Sequence, residues 1–163
     1  MKALTALLFL FFAIWSIDVY SASDAASKDK ELIAESGRIS VRVTVSSSPE
    51  AQTCQTASSW RWGAENVCPR TFVGALEVKA AGTLLFIPLS AFADLGEPRN
   101  VRVETRKGKS RFAVVLIGGD AATSYKATLE FRDNFLSERV VRHGEFPAQS
   151  WEKTLYKFNV ERQ

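Results

Sequence analysis

Residues 38–46 read RISVRVTVS, and their side chains alternate strictly between polar and apolar. The apolar positions are Ile39, Val41, Val43 and Val45. Successive side chains of a strand point to opposite faces, so a period of two residues is typical of a strand that buries one face. The stretch therefore predicts a β-strand with one face toward a core and the other toward solvent.

Residues 100–117 predict a β-hairpin that turns at Lys107 and Gly108. A two-residue turn of this kind sets the register of the two strands. The opposed pairs are then Val103 with Phe112, Val101 with Val114, and Glu104 with Arg111. Apolar residues would thus meet on one face and opposite charges on the other, which makes the register self-consistent.

The rest of the chain adds strands separated by turn signals. Asp133-Asn134 is a turn pair, and residues 89–95 can form a short helical turn before Gly96. The other predicted strands are residues 71–78, 83–87, 123–132, 135–142 and 150–160. The connections are too short for crossover helices, so antiparallel pairing is expected. The predicted fold is all-β, an antiparallel β-sandwich or open barrel of about eight strands with one short helical turn.

Two segments, residues 84–87 and 112–117, are apolar on both faces. A sandwich strand needs only one apolar face. One interpretation is that these strands are central and are covered on the outside by the 89–95 turn or by the leader that precedes the first strand. The other interpretation is an exposed apolar patch that binds another protein or a second copy of the chain. The sequence leaves both open.

The N-terminus has the layout of a secretory signal peptide. Lys2 precedes an apolar run at residues 3–17, which is shorter than the roughly 20 residues of a membrane-spanning helix. The predicted organisation is a signal peptide at residues 1–21, a flexible leader at 22–37 and a single β-sandwich domain at 38–163. We therefore expect a periplasmic or secreted protein with no membrane span after cleavage.

Cys54 and Cys68 are the two cysteines of the chain. An exported protein meets an oxidising compartment, where two thiols predict one disulfide. The closed loop would have 15 residues, and the chain-entropy estimate for a loop of that size is about 3 kcal/mol of stabilisation. Neither a metal site nor a cofactor is predicted, because the chain has one histidine and no CxxC pair.

The loop between the cysteines contains Trp60, Arg61 and Trp62. Trp and Arg are enriched in binding hot spots because they bury a large area with few torsions. These three residues are therefore predicted to bind a partner. The alternative is that the tryptophans cap the core, since alternate residues of an extended stretch point opposite ways.

Basic residues concentrate around the predicted 100–117 hairpin, and Arg106, Lys107 and Lys109 lie at its tip. A positive tip suits an anionic partner, so these residues are predicted to bind one. The alternative is that they keep an exposed hairpin soluble and unpaired. The net charge of the chain is only +3, and export disfavours nucleic acid as the partner.

No catalytic residue is predicted. His143 is the only histidine, and a hydrolytic triad would need a nucleophile in contact with it. The favoured function is an exported, non-enzymatic binding module, such as a periplasmic inhibitor or immunity-type protein. Its partner would be an extracytoplasmic protein or an anionic component of the cell envelope. The alternative function is a small hydrolase of a cell-envelope polymer, with His143 and Glu145 as the acid–base pair.

Overall fold

Nine strands and two short 3₁₀ helices make up the described part of the computed structural model, which covers residues 29–48, 62–63, 68–108 and 110–158. The strands are β1 (Lys30–Ser36), β2 (Ile39–Ser47), β3 (Thr71–Ala80), β4 (Thr83–Leu84), β5 (Pro98–Thr105), β6 (Arg111–Gly118), β7 (Tyr125–Arg132), β8 (Phe135–His143) and β9 (Ser150–Leu155). The 3₁₀ helices are Leu89–Ala91 and Ala121–Thr123. The predicted all-β class is therefore confirmed.

The strands form two antiparallel sheets in chain order, β1-β2-β3-β4 and β5-β6-β7-β8-β9. Within each sheet, every strand pairs with the next one along the chain, as short connections allow. The two sheets pack as a sandwich, and β1 lies beside β5 where their edges meet. The first 3₁₀ helix belongs to the connection that carries the chain from one sheet to the other.

The core lies between the sheets and is built from the alternating apolar positions. The valines at 41, 43 and 45 are all buried in it, which confirms the predicted inner face of β2. Their counterparts on the second sheet include Val114, Leu116 and Leu129. Burial of these side chains supplies most of the favourable free energy of such a fold.

The first strand corrects the predicted boundary of the flexible leader. Residues 30–36 form β1, which pairs with β2 from Lys30 opposite Val45 to Ser36 opposite Ile39. Gly37 makes the tight turn with a φ of 60°, which glycine adopts without strain. Leu32 and Ala34 pack against the core. Ile33 between them is just as apolar but is exposed, so the sequence does not alternate clearly and did not reveal this strand.

The β5–β6 hairpin exists, but its predicted register is wrong by two residues. Val103 lies opposite Val114, and Glu104 lies opposite Ala113 rather than Arg111. The connection is longer than two residues, and the amide of Arg106 bonds to the carbonyl of Arg111. A shift of two residues keeps every side chain on its own face. The core face was thus correct although the cross-strand partners were not.

The β7–β8 hairpin has the predicted two-residue turn. Asp133 and Asn134 both have positive φ, at 50° and 66°, as a type I′ turn requires. A bulge next to Glu130 then shifts the register, so that Arg139 rather than Glu138 lies opposite Leu129. This shift turns Arg139 toward the inside of the sandwich.

The two segments that are apolar on both faces, residues 84–87 and 112–117, differ in how exposed they are. In β6 the outward-facing Ala113 and Val115 are fully buried, so residues 112–117 do not form an exposed patch. The 3₁₀ helix that was predicted to cover the outside instead packs on the inside, where Ala91 joins the core. Residues 84–87 are strand only as far as Leu84, and both Leu84 and Phe86 are exposed.

Candidate functional site

Trp62 is the one described member of the predicted WRW site, because Trp60 and Arg61 lie outside the described residues. Its backbone is fixed to the segment between the sheets. The amide of Trp62 donates to the carbonyl oxygen of Asp94 at 2.8 Å, and the amide of Gly96 donates to the carbonyl oxygen of Trp62 at 2.8 Å. The Trp62 side chain is half-buried and packs against the core. This part of the loop therefore caps one end of the sandwich.

Gly63 allows the loop to sit this close. Its φ is 88°, and a Cβ added there would lie 2.7 Å from the carbonyl oxygen of Gly96 and 2.8 Å from the Tyr125 ring. Only a glycine combines that backbone conformation with such a close approach. The Trp62-Gly63 pair is thus held between the segment that joins the two sheets and the start of β7.

Four rings gather beside this anchor, and we call them the aromatic end: Trp62, His143, Phe146 and Trp151. The Trp62 and Trp151 rings are stacked, with centroids 5.0 Å apart and planes 6° from parallel. His143 meets Trp151 edge-on at 5.0 Å, and Phe146 lies 4.9 Å from His143. The aromatic end therefore joins the predicted loop to the β8–β9 connection.

A bulge presents Trp151 at this end. Val141 pairs with Glu152 and Arg142 pairs with Ser150, so the register skips Trp151. Bulges of this kind re-aim a side chain. Trp151 is 36% exposed and Phe146 is 57% exposed. Neither ring was predicted to bind a partner; the signal that could have indicated it is the presence of two large aromatic residues within residues 146–151.

His143 stabilises the turn that carries Phe146. Its side chain is buried, and its Nδ1 accepts hydrogen bonds from the amides of Glu145 at 3.0 Å and Phe146 at 3.1 Å. A nitrogen that accepts in this way carries no hydrogen, so the proton of the neutral ring is assigned to Nε2. Nδ1 is thus occupied by the protein's own backbone.

Arg139 braces the segment that holds Trp62. Its side chain is 3% exposed and bonds both carboxylate oxygens of Asp94, at 2.7 and 2.8 Å, and the carbonyl oxygen of Ser90 at 2.8 Å. Glu152 lies 3.5 Å away. A bidentate arginine–carboxylate pair fixes both groups in orientation. Arg139 was not predicted as a structural residue, because the bulge in the β7–β8 pairing turns it inward and the alternation of β8 does not reveal a bulge.

Cys68 is disulfide-bonded, and the described residues include no free cysteine. Cys54 lies outside the described residues, so the Cys54–Cys68 pairing stays a prediction. Cys68 lies three residues before the start of β3 at Thr71. A bond at that position would restrain the loop close to the aromatic end.

The predicted basic tip is described at Arg106 and Lys107, whereas Lys109 lies outside the described residues. Arg106 is not a free cation, because its guanidinium bonds Glu104 and Glu130, each at 2.8 Å. These bonds, chiefly the one to Glu130, raise the pKa of Arg106, and the bond from Arg106 lowers the pKa of Glu104. Lys107 is exposed.

The structure does not bring the two predicted binding patches together. Strand β7 starts at Tyr125, beside Gly63, and ends at Arg132, beside the β5–β6 hairpin. Its 8 residues span roughly 25 Å at about 3.4 Å per residue. The aromatic end and the basic tip therefore lie at opposite ends of the sandwich.

The part of the chain that the structure describes contains no helix long and apolar enough to cross a membrane. Within the same residues, no group of three or more potential His, Cys, Asp or Glu ligands comes together to hold a metal ion. Comparison of the sequence with protein-family models and with curated proteins, and of the chain with solved structures, found no match.

Proposed function

We propose that this protein is an exported, non-enzymatic binding module that engages a partner protein through the aromatic end. The observation that carries the proposal is Trp151, which is stacked on Trp62 and yet 36% exposed. Phe146 extends the exposed aromatic surface beside it. Aromatic side chains held in place before binding lose little conformational entropy on association.

Rigidity distinguishes this surface from scattered exposed apolar residues. Trp62 is tied by two backbone hydrogen bonds, and the segment that holds it is braced by the buried Arg139–Asp94 pair. His143 holds the turn before Trp151 through two amide bonds. Hot spots are typically such well-packed aromatic anchors surrounded by weaker contacts.

The class of partner follows from the proposed location. With a signal peptide at residues 1–21, the protein acts in the periplasm or outside the cell, where an enzyme of that compartment is the partner we propose. The protein would then act as an inhibitor or an immunity-type protein. An anionic envelope component is the second partner class, and nucleic acid is not proposed.

The hydrolase alternative places the acid–base pair at His143 and Glu145. Proton transfer needs a nitrogen that reaches the substrate. The His143 ring is buried, and its Nδ1 already accepts two backbone amides. We therefore rank binding above hydrolysis.

The experiment compares capture of a partner from an envelope extract by the wild type and by a Trp151→Ala, Phe146→Ala variant. We expect at least a tenfold loss of capture, because truncating a hot-spot aromatic typically costs 2 kcal/mol or more. Ile33→Ala is the matched control, since Ile33 is an exposed apolar residue of β1, on the first sheet.

The melting temperature keeps the test interpretable. The double variant is expected to melt below the wild type, because Trp151 is only 36% exposed and its ring packs on Trp62, but to stay folded at the temperature of the capture experiment. If capture survives in the double variant, or falls equally in the Ile33 control, the partner binds elsewhere. If His143→Ala abolished a measured hydrolytic activity, the alternative function would be favoured.

A further inference from the structure

Two arginines face each other across the outer side of the second sheet. Arg111 of β6 lies directly opposite Arg132 of β7. Like charges at directly opposed positions of an antiparallel pair destabilise the sheet. A fold that keeps such a pair without a counter-charge has a local electrostatic cost, which an anionic ligand would relieve.

The carboxylates of the glutamates on this face already pair with other cations. The ion pairs are Glu104 with Arg102 and Arg106, Glu130 with Arg106, and Glu138 with Lys153, at 2.8 to 2.9 Å. Among the described residues, neither Arg111 nor Arg132 takes part in an ion pair. The charges of these two guanidinium groups are therefore not neutralised by an ion pair with another described residue.

Both arginines line one cleft of about 270 Å³, together with Arg106, Ser137 and the carboxylates of Glu130 and Glu138. Pockets for whole small ligands usually have volumes of roughly 300–1,000 Å³. This cleft is smaller, so its size suits one or two side chains of a protein segment. The stem of Arg111 lies against Gly108, where an added Cβ would come within 3.2 Å of its Cδ.

Apolar side chains border the arginine pair. Phe135 lies opposite Arg132 on β8 and is exposed, with its ring 6.1 Å from that of Phe158. Leu155 lies opposite Glu138 on β9 and is also exposed. Arginine beside exposed aromatic and aliphatic side chains is the composition of a protein-binding surface.

We propose that this cleft binds the carboxylates of an acidic peptide segment, with Arg111 and Arg132 as the binding residues. The arginine fork matches a carboxylate in a bidentate manner. Glu130 and Glu138 stand in the same cleft, and they repel a doubly charged phosphate more strongly than a carboxylate. A concave site between side chains also fits a peptide better than a flat lipid surface.

The proposal is independent of the aromatic end, which lies at the other end of β7. The test measures binding of a fluorescent hexaglutamate peptide by anisotropy, at low salt and at high salt. The two variants have the same change in net charge. One is Arg111→Gln, Arg132→Gln, and the matched control is Arg38→Gln, Lys79→Gln on the first sheet.

The arginine double variant is expected to lose at least tenfold in affinity, and the control less than twofold. The same arginine variant should melt at or above the wild-type temperature, because the like-charge repulsion is gone, so loss of folding cannot explain the result. Inorganic phosphate and phosphatidylglycerol vesicles serve as competing probes and are expected to bind more weakly than the peptide.

Three results would overturn the proposal. The first is no binding of hexaglutamate by the wild type. The second is an equal loss in both variants, which would indicate general electrostatic attraction. The third is stronger binding of phosphate or of the vesicles, which would assign the site to a phosphate group or a membrane surface.

Discussion

Arg139 carries a positive charge into the sandwich, and Asp94 supplies the matching negative charge. Breaking a buried ion pair from one side is costly because the remaining charge stays buried. Loss of Asp94 would be partly compensated, because Glu152 lies 3.5 Å from Arg139 and can still pair with it. The main role of the pair is to fix the position of Asp94, whose carbonyl oxygen accepts the hydrogen bond from the Trp62 amide.

Asp94→Ala tests this role. We expect a loss of about 2 kcal/mol in the free energy of unfolding, from the hydrogen bonds to a charged group. Urea unfolding measures it. The control is Glu31→Ala, which removes an exposed ion pair with Arg42 and is expected to cost less than about 1 kcal/mol. Equal losses in the two variants would contradict a bracing role for Arg139.

Tyr125 is fully buried and its hydroxyl has no hydrogen-bond partner in the described structure. An unpaired buried hydroxyl costs free energy that phenylalanine does not. Tyr125→Phe is therefore expected to leave stability unchanged or to raise it at neutral pH. A loss above about 1 kcal/mol would show that the hydroxyl is satisfied after all.

The same residue predicts how stability depends on alkaline pH. Burial raises the pKa of Tyr125 above its ordinary value of 10.0, so the unfolded chain releases this proton at a lower pH than the folded protein. Stability is then lost as the pH rises above the unfolded value. Urea unfolding from pH 7 upward should show a steeper alkaline loss in the wild type than in Tyr125→Phe. Parallel curves would contradict the burial of this group.

At the scale of elements, the loop that carries Trp62 depends on one glycine. Gly63→Ala would place a Cβ 2.7 Å from the carbonyl oxygen of Gly96 at a φ of 88°. We expect it to destabilise the protein by more than the roughly 1 kcal/mol of backbone strain alone. It should also weaken the near-ultraviolet circular dichroism signal from the stacked tryptophans.

Gly37→Ala is the control for that variant. Gly37 also has a positive φ, of 60°, but no atom lies within 4 Å of an added Cβ. Its cost should be limited to backbone strain, and the tryptophan signal should be unchanged. If the two variants behave alike, close packing does not anchor the loop.

The elements also show what the sequence could and could not predict. Alternation in β2 and β5 identified the core faces, because burial depends only on the side of the strand. The register of the β5–β6 hairpin was wrong because several turn lengths keep the same alternation. Strand β1 was missed because its apolar residues, 32–34, are consecutive rather than alternating, and the exposed Ile33 hides the period of two.

The candidate site was predictable only in part. Trp62 was identified from its residue type, but its partner Trp151 comes from a distant strand, and a bulge decides where that ring points. Arg106 was predicted as a free binding residue, although Glu130 lies close enough to pair with it only after β7 folds against the hairpin. Contacts between distant segments have no local signature in the sequence.

At the scale of the whole molecule, two features of opposite character occupy opposite ends of one sandwich. The aromatic end is rigid and apolar, and the arginine cleft is charged and concave. A rigid sheet scaffold that carries recognition residues at its ends is typical of binding domains. We infer that the sandwich supports the ends and that the ends carry the function.

Hydrogen exchange on the captured complex tests this account most directly. With a partner bound through the aromatic end, the amides of residues 144–151 are expected to exchange more slowly than in the free protein. The exchange rates of the amides of β1 and of the other strands of the first sheet should be the same with and without the partner. Protection confined to β1 and β2, with residues 144–151 unaffected, would contradict the central claim.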